Sequence, residues 1–397
     1  MRAYINDSEE AAHARDLLKD WTGERFLTAA QCQALEQDTV CDLRRTNIFL
    51  RAVLFFFTLV TVGAVAALFV VNFGFFRPSG EKSLGIFLLV LGPCCYAAAE
   101  LVVSVARLYR HGIEEALAAC SVGCLCLGLE LVMFSGPQKE GAFVVPALGV
   151  AASLWIWHRF GFSYAPAAAM TFAAALPGYF THGPAAQHVM VAALFALGLG
   201  AVAILRDRCR WTCFDYEYSV AEALLWLGIY LGINLQMWAL LSSWWTVFRG
   251  AKPEFPGPFY WATWILTWCL PPIILARGLW WKDRFVLAAG AIAAVLTFAT
   301  NKPYLGWPRH TWDPMLLGAL LIGVALWLRH WLAAGPGEVR RGFTARRLSS
   351  NDLSWMNAGR TAFGLVSPSA ITPSMQTENE FRFGGGDSGG GGASSDF

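Results

Sequence analysis

The stretch AVLFFFTLVTVGAVAALFVVNFGFF, residues 52–76, contains no charged side chain. A membrane-spanning helix needs about 20 apolar residues to cross about 30 Å of hydrocarbon. This stretch is therefore long enough to span a bilayer, and similar apolar stretches recur along most of the chain. We expect a protein that crosses the membrane many times.

The apolar pattern predicts ten membrane-spanning helices. The fourth and the ninth are short, and the pair Pro271–Pro272 predicts a kink or break in the eighth. The fold class is therefore all-α, a polytopic transmembrane helical bundle over residues 48–335. The predicted spans are residues 52–75, 84–105, 114–135, 141–157, 162–180, 186–205, 219–246, 259–277, 285–300 and 313–333.

The loop charges predict the orientation. With the N-terminus inside, Arg and Lys residues in the inner loops outnumber those in the outer loops by about two to one, as the positive-inside rule requires. An even number of spans returns the C-terminus to the same side. No signal peptide is visible, because the first 47 residues are polar and carry acids as well as bases. We expect a bacterial inner-membrane protein with both termini in the cytoplasm.

Composition excludes several classes of protein. Apolar residues make up 56% of the chain and charged residues 15%, against about 25% charged in a soluble domain. The net charge of +2 and the absence of a basic stripe between aromatic residues argue against a nucleic-acid partner. No hydrolase, zinc-protease or phosphate-loop motif is present, so we expect no enzymatic activity, no catalytic residue and no cofactor.

The two ends of the chain differ from the apolar middle. Residues 1–47 predict a cytoplasmic helical hairpin: Asp7 with Glu10, and Thr28 with Gln31, have the spacing of a capping box, and Thr22–Gly23 separates the two helices. The hairpin either lies under the bundle or docks a cytoplasmic partner. Residues 336–397 begin with an arginine cluster and end in glycine runs, a composition typical of a disordered tail. Such a tail is a second possible contact for a protein partner, beside the lipid bilayer itself.

The segment WTGERFLTAAQCQAL, residues 21–35, resembles the start of a family of uncharacterised bacterial multi-pass membrane proteins. In that family a short soluble helical hairpin precedes many spans. This chain keeps Thr28 and Gln31, and it has Arg25–Phe26–Leu27 where the family tends to a Gly–Leu–Ile step. The resemblance covers about the first 100 residues and implies location and layout, with no catalytic role.

Four polar residues within the spans are candidates for a functional site. Burying an ionisable side chain in a bilayer costs several kcal/mol, so such residues are functional candidates by default. Two hypotheses fit Glu100. Either it handles an ion or proton, or it forms a structural pair with Arg107, Arg110 or a neighbouring helix. Glu130 is the second carboxylate that a helix terminus does not explain. Asn234 and Gln236, placed near mid-membrane, either bond across helices or line a polar cavity.

Other polar residues have simpler explanations. Glu114, Glu115 and Glu222 lie near helix N-termini, where an acid interacts favourably with the helix dipole, and His188 is expected to face lipid headgroups. The cysteines have no Cys-x-x-Cys pair and no histidine at ligand spacing, so we expect packing and no metal site.

Two functions remain open at this point. The first is the transport or sensing of a small solute or ion, with the four polar residues as the interior. The second is a scaffold or assembly subunit that acts through the hairpin and the tail. A shared polar cavity would favour the first function, and paired carboxylates in a solid bundle would favour the second.

Overall fold

The computed structural model describes residues 3–4, 6–23, 27–39, 43, 46, 48–72, 81–133, 141–181, 183–209, 215–237, 255–307, 310, 312–335, 339–340 and 343–344. These residues form helices almost throughout. The helices are α1 (Asn6–Gly23), α2 (Ala29–Asp38), α3 (Ile48–Asn72), α4 (Glu81–Ala106), α5 (Ile113–Met133), α6 (Val144–Phe160), α7 (Ala165–Ala175), α8 (Pro177–Phe180), α9 (Pro184–Cys209), α10 (Asp215–Ile233), α11 (Gly257–Trp281), α12 (Arg284–Tyr304) and α13 (Asp313–Ala333).

Seven of these helices are long and apolar enough to cross a membrane: α3, α4, α5, α9, α11, α12 and α13. The predicted all-helical architecture is therefore confirmed in the described residues, and it is compatible with an integral membrane protein. The ninth predicted span, expected to be short, is the 21-residue helix α12. Helix α11 continues without a break through Pro271 and Pro272.

The other three predicted spans coincide with shorter helices. Helix α6 has 17 residues, or about 26 Å. Helices α7 and α8 divide the fifth span at Leu176–Pro177, and α7 alone has 11 residues, or about 16 Å. Helix α10 has 19 residues and carries Asp215, Glu217 and Glu222, which lower its hydropathy. The rest of the seventh predicted span, from residue 238, lies outside the described residues.

The N-terminal segment forms helices α1 and α2, and the predicted cap is found for α2, whereas Asp7 lies within α1 and not before it. Thr28 caps α2: its Oγ1 accepts from the Gln31 N–H at 3.3 Å, and the Gln31 Oε1 accepts from the Thr28 N–H at 3.0 Å. This capping box is confirmed. Helix α1 ends at Gly23, where the sequence predicted a break, and it begins at Asn6, one residue before the predicted cap at Asp7.

The hairpin is attached to the bundle through the first residues of the chain. The Ala3 N–H donates to the Arg159 carbonyl at 2.8 Å. The Tyr4 ring meets the Tyr109 ring edge-on, with 4.9 Å between the centroids. The Tyr109 hydroxyl donates to Glu9 of α1 at 3.2 Å. The hairpin thus lies against the α4–α5 connection.

Two apolar clusters form the core. The first contains Ala99, Val122 and Ile156, and joins α4, α5 and α6. The second contains Leu225, Ile274 and Ala293, and joins α10, α11 and α12. Residues 1–348 form one compact unit.

Close backbone approach explains why α4 and α5 pack tightly. A Cβ at Gly128 would lie 2.8 Å from the Gly85 carbonyl oxygen, and a Cβ at Gly92 would lie 2.8 Å from Leu125 Cγ. The start of α4 therefore faces the end of α5, and the two helices are antiparallel.

The predicted tail begins with a short structured segment. Strand β1 (Val339–Arg340) pairs antiparallel with β2 (Phe343–Thr344). The remainder of the tail, including its glycine runs, lies outside the described residues.

Candidate functional site

Glu100 and Arg159 form a bidentate ion pair between α4 and α6. The Arg159 Nε lies 2.6 Å from Glu100 Oε1, and Nη2 lies 2.9 Å from Oε2. The Tyr96 hydroxyl donates to Oε1 at 2.9 Å and accepts from Trp155 Nε1 at 3.0 Å. Both charged side chains are 25% exposed. Glu100 thus pairs with a neighbouring helix, and its predicted ion- or proton-handling role stays a prediction.

Glu130 is separated from Glu100 by the antiparallel packing of α4 and α5. It lies near the end of α5, level with the start of α4, and it is exposed. It makes no hydrogen bond or ion pair with the residues that the structure describes. The two candidate carboxylates are therefore not brought together.

Asn234 and Gln236 share one hydrogen-bonded network. The Asn234 amide is fully buried, and its Nδ2 donates to the Tyr230 hydroxyl at 2.9 Å and to Thr300 Oγ1 at 3.0 Å. The Gln236 Nε2 donates to the Tyr260 hydroxyl at 3.0 Å.

The same network continues through Tyr304. Its hydroxyl accepts from the Leu235 N–H at 2.8 Å, and its carbonyl accepts from the Tyr260 hydroxyl at 3.0 Å. Helix α10 ends at Ile233, and Thr300 and Tyr304 belong to the last turns of α12. The network therefore lies near the start of α11 and in the last turns of α12. The mid-membrane position of Asn234 and Gln236 stays a prediction.

The opposite end of the bundle carries ion pairs. We call this the arginine end and define it by Arg51, Arg159, Arg206 and Arg277. The Arg51 guanidinium forms a bidentate pair with Glu115, joining the starts of α3 and α5. Three more ion pairs, described next, join α9, α10, α11 and α12.

The largest group at the arginine end is centred on Arg206. Its Nη1 lies 2.6 Å from Glu222 Oε2 and 2.6 Å from Asp283 Oδ2. The second Glu222 oxygen accepts from Arg277 Nε at 3.0 Å. Glu222 is therefore held by two arginines, beyond the helix-dipole effect that the sequence suggested.

Asp283 caps α12 and joins the same group. Its Oδ1 accepts from the Phe285 N–H at 2.9 Å, and its carboxylate accepts from the Ser219 hydroxyl at 2.6 Å. Burial alone would raise the pKa of Asp283, but the Ser219 hydrogen bond and the Arg206 charge outweigh burial and lower that pKa below its usual value. The sequence treated this segment only as a charged loop.

A second polar cluster lies beneath the hairpin. The Glu114 carboxyl is fully buried, and its Oε1 accepts from the His111 N–H at 2.6 Å. Within the described part of the chain, Glu114 Oε2, His111 Nδ1 and the Tyr4 hydroxyl have no hydrogen-bond partner. Burial, followed by the Glu114 charge, raises the pKa of Tyr4 well above its usual range. The hydrogen bonding of this cluster is therefore incomplete, and each buried polar atom without a partner costs about 1–3 kcal/mol.

His188 differs from the sequence expectation. His188 is buried, and its Nδ1 lies 2.6 Å from the Gly232 carbonyl, so it packs between α9 and α10 instead of facing headgroups. No group of three or more His, Cys, Asp or Glu able to hold a metal occurs among the described residues.

No protein-family model, curated protein or solved structure matches this chain.

Proposed function

We propose that this protein is a non-enzymatic scaffold or assembly subunit of a membrane complex in the bacterial inner membrane. The observation that carries this proposal is that three of the four candidate polar residues, Glu100, Asn234 and Gln236, bond to neighbouring helices. Both Glu100 oxygens accept from Arg159, and the buried Asn234 amide donates to Tyr230 and Thr300. Side chains used in this way hold helices together.

The proposal includes ten spans with both termini in the cytoplasm. The positive-inside bias of the loops supports it. The paired arginines lie at starts of odd-numbered predicted spans or at ends of even-numbered ones, as with Arg51 at the start of the first span and Arg159 at the end of the fourth. They therefore fall at one end of an alternating bundle, whereas the Lys302–Asp313 pair lies at the other end. The proposal also includes membership of the bacterial hairpin-containing family that residues 21–35 resemble.

The hairpin offers a surface for a partner. Leu17 and Trp21 of α1, and Leu35 of α2, are large apolar side chains that are about half exposed. A soluble hairpin gains nothing from exposed apolar area, and exposed apolar residues of this kind are candidates for a protein contact.

In-cell crosslinking and native gel electrophoresis of membranes from the protein's own organism test the scaffold role. We expect the full chain to migrate as a complex larger than a monomer, with crosslinks from α1 and α2 to another chain. The variant Leu17→Ser/Leu35→Ser should lose the complex at unchanged abundance in the membrane. The control Gln33→Ala/Gln37→Ala, which changes exposed polar residues of α2, should keep it. A monomer in wild-type membranes, or a complex that ignores the leucine substitutions, contradicts the proposal.

One observation favours a second candidate, the transport or sensing of a small solute or ion. Helix α10 ends at Ile233, Asn234 is not helical, and residues 235–237 are helical again. Interrupted membrane helices form binding sites in many transporters. A proton or cation flux in liposomes that Asn234→Ala abolishes, without loss of thermal stability, would place this candidate ahead of the scaffold.

A further inference from the structure

An apolar groove lies between α4, α5 and α6. Its volume is about 370 Å³, within the range of about 300–1,000 Å³ that small-molecule sites occupy. Pro93 of α4, Val122 and Leu125 of α5, and Ala151 and Ala152 of α6 contribute to its walls. The two alanine side chains are too short to fill the space that larger residues would occupy.

The groove has one polar end. Tyr96 and Trp155 line it there, and their polar atoms bond to each other and to Glu100. Behind them lies the Glu100–Arg159 ion pair, in which each side chain is 25% exposed. The ion pair does not line the groove. Glu100 and Arg159 lie four residues, or about one helical turn, beyond Tyr96 on α4 and Trp155 on α6.

The surroundings decide what occupies such a groove. The Trp155 ring is 55% exposed, so the groove opens to the side of the bundle, where seven apolar helices indicate hydrocarbon. An apolar cavity of this size does not favour water, which needs two to four polar partners, and an unfilled one forfeits the dispersion contacts of its walls. Acyl chains are the apolar material at hand in a bilayer.

The polar end narrows the choice to one kind of lipid. An amphiphile with a single chain in the groove would bring its headgroup to Glu100 and Arg159. A guanidinium is suited to phosphate oxygens, and a carboxylate accepts from a primary ammonium. A headgroup that carries both a phosphate and a primary ammonium is complementary to Arg159 and Glu100. A choline headgroup has no N–H to donate to Glu100.

We propose that the groove between α4, α5 and α6 binds one acyl chain of a phosphatidylethanolamine molecule, with its phosphate at Arg159 and its ammonium at Glu100. This site goes beyond the scaffold role and does not depend on it. The chain fills the space over Ala151 and Ala152, and the Trp155 ring lies at the level of the headgroup, where indole rings are favoured.

Native mass spectrometry of the full chain in detergent tests the chain-binding part, with palmitoyl-oleoyl phosphatidylethanolamine as the probe. The substitution Ala151→Trp places a large ring in the groove, and Ala201→Trp on α9 is the matched control, an exposed alanine in another apolar helix. We expect the wild type and Ala201→Trp to retain one lipid and Ala151→Trp to bind it at least about tenfold more weakly. Thermal stability should be similar in all three.

The headgroup part has its own variant. Glu100→Gln/Arg159→Gln removes both charges together and leaves neither stranded. We expect it to bind phosphatidylethanolamine and phosphatidylcholine equally, whereas the wild type prefers the former.

Three results would overturn the proposal. The first is a wild type that retains no phosphatidylethanolamine. The second is an Ala151→Trp variant that binds as the wild type does, or that changes its oligomeric state in place of its lipid binding, which would assign the groove to another protein chain. The third is a double variant with unchanged lipid preference, which would remove the roles of Glu100 and Arg159.

Discussion

Replacing Glu222 by Gln should destabilise the bundle more than any other single loss of a carboxylate charge described here. Glu222 is 2% exposed and contacts two arginines, Arg206 at 2.6 Å and Arg277 at 3.0 Å. The amide keeps the shape of the side chain but removes its charge. The group of Glu222, Asp283, Arg206 and Arg277 then changes from neutral to a net charge of +1.

The size of the stability loss depends on how the charge of each arginine is compensated after the substitution. Breaking a deeply buried pair costs about 3–5 kcal/mol, because the partner charge is left uncompensated. Arg206 retains Asp283 at 2.6 Å, and Arg277 is 30% exposed, so water compensates part of its charge. We therefore expect a loss of about 2–3 kcal/mol in the free energy of unfolding, below the range for an isolated buried pair.

Unfolding of the purified chain in mixed detergent micelles by SDS measures this loss. Glu130→Gln is the control, because it makes the same chemical change on an exposed residue and should stay within about 0.5 kcal/mol of wild type. In a double-mutant cycle, Glu222→Gln with Arg206→Gln should give a coupling energy of about 1–3 kcal/mol. Equal stability of Glu222→Gln and Glu130→Gln, or additive effects in the cycle, would refute the reasoning.

Four further predictions use the same unfolding assay. Glu100→Gln should cost about 1–3 kcal/mol, since its pair is a quarter exposed, and an unaffected stability would disprove a structural pair. Because the pKa of Asp283 is lowered in the folded state, its ionised carboxylate stabilises the fold at pH values above the unfolded pKa of about 3.9. That stabilisation is lost as the pH falls through the lower folded pKa, so Asp283→Asn should lose less stability below about pH 4 than wild type. Gly128→Ala should cost about 1–3 kcal/mol because its Cβ would meet the α4 backbone, whereas Gly123→Ala, with open space around it, should be neutral or slightly stabilising. Removal of residues 350–397 should leave insertion and thermal stability unchanged, because a glycine-rich segment contributes no core.

The local features of this fold could be predicted from the sequence. A capping box depends on residues three apart, and Thr28 with Gln31 forms one. The same holds within the spans: Tyr96 and Glu100 are four apart on α4 and bond to each other, and Asn234, directly after α10, bonds to Tyr230 four residues earlier. That spacing places side chains on the same face of a helix, so both hydrogen bonds could have been predicted from the sequence.

The partners between helices could not be predicted in the same way. Arg159 lies 59 residues from Glu100, and Arg51 lies 64 residues from Glu115. Apolar periodicity gives the length of a helix but not its neighbours, and each arginine had several acids at a suitable depth. The sequence therefore offered Arg107, Arg110 or an unspecified neighbouring helix as the partner of Glu100, and the packing of α6 against α4 and α5 brings Arg159 there.

The depth of the polar network depends on where a helix ends, which is the least certain feature of a sequence prediction. The seventh span was expected to continue to residue 246, which put Asn234 near its middle. Helix α10 ends at Ile233, and the rest of that span, from residue 238, lies outside the described residues. The Asn234 amide donates to the hydroxyl groups of Tyr230 and Thr300, and Thr300 lies in the part of α12 away from the arginines.

The pairing at the arginine end follows from the alternation of the helices. Glu222 and Asp283 lie at or near the starts of α10 and α12, and Arg206 and Arg277 lie near the ends of α9 and α11. An acid at a helix start and an arginine at a helix end each interact favourably with the helix dipole. Antiparallel neighbours bring such a start beside such an end, so the ion pairs, the dipoles and the positive loops favour one arrangement. An inverted α10 would move Glu222 to the far end of the bundle and leave Arg206 and Arg277 without it, so the pairs act against wrong topologies as well as in favour of the native one.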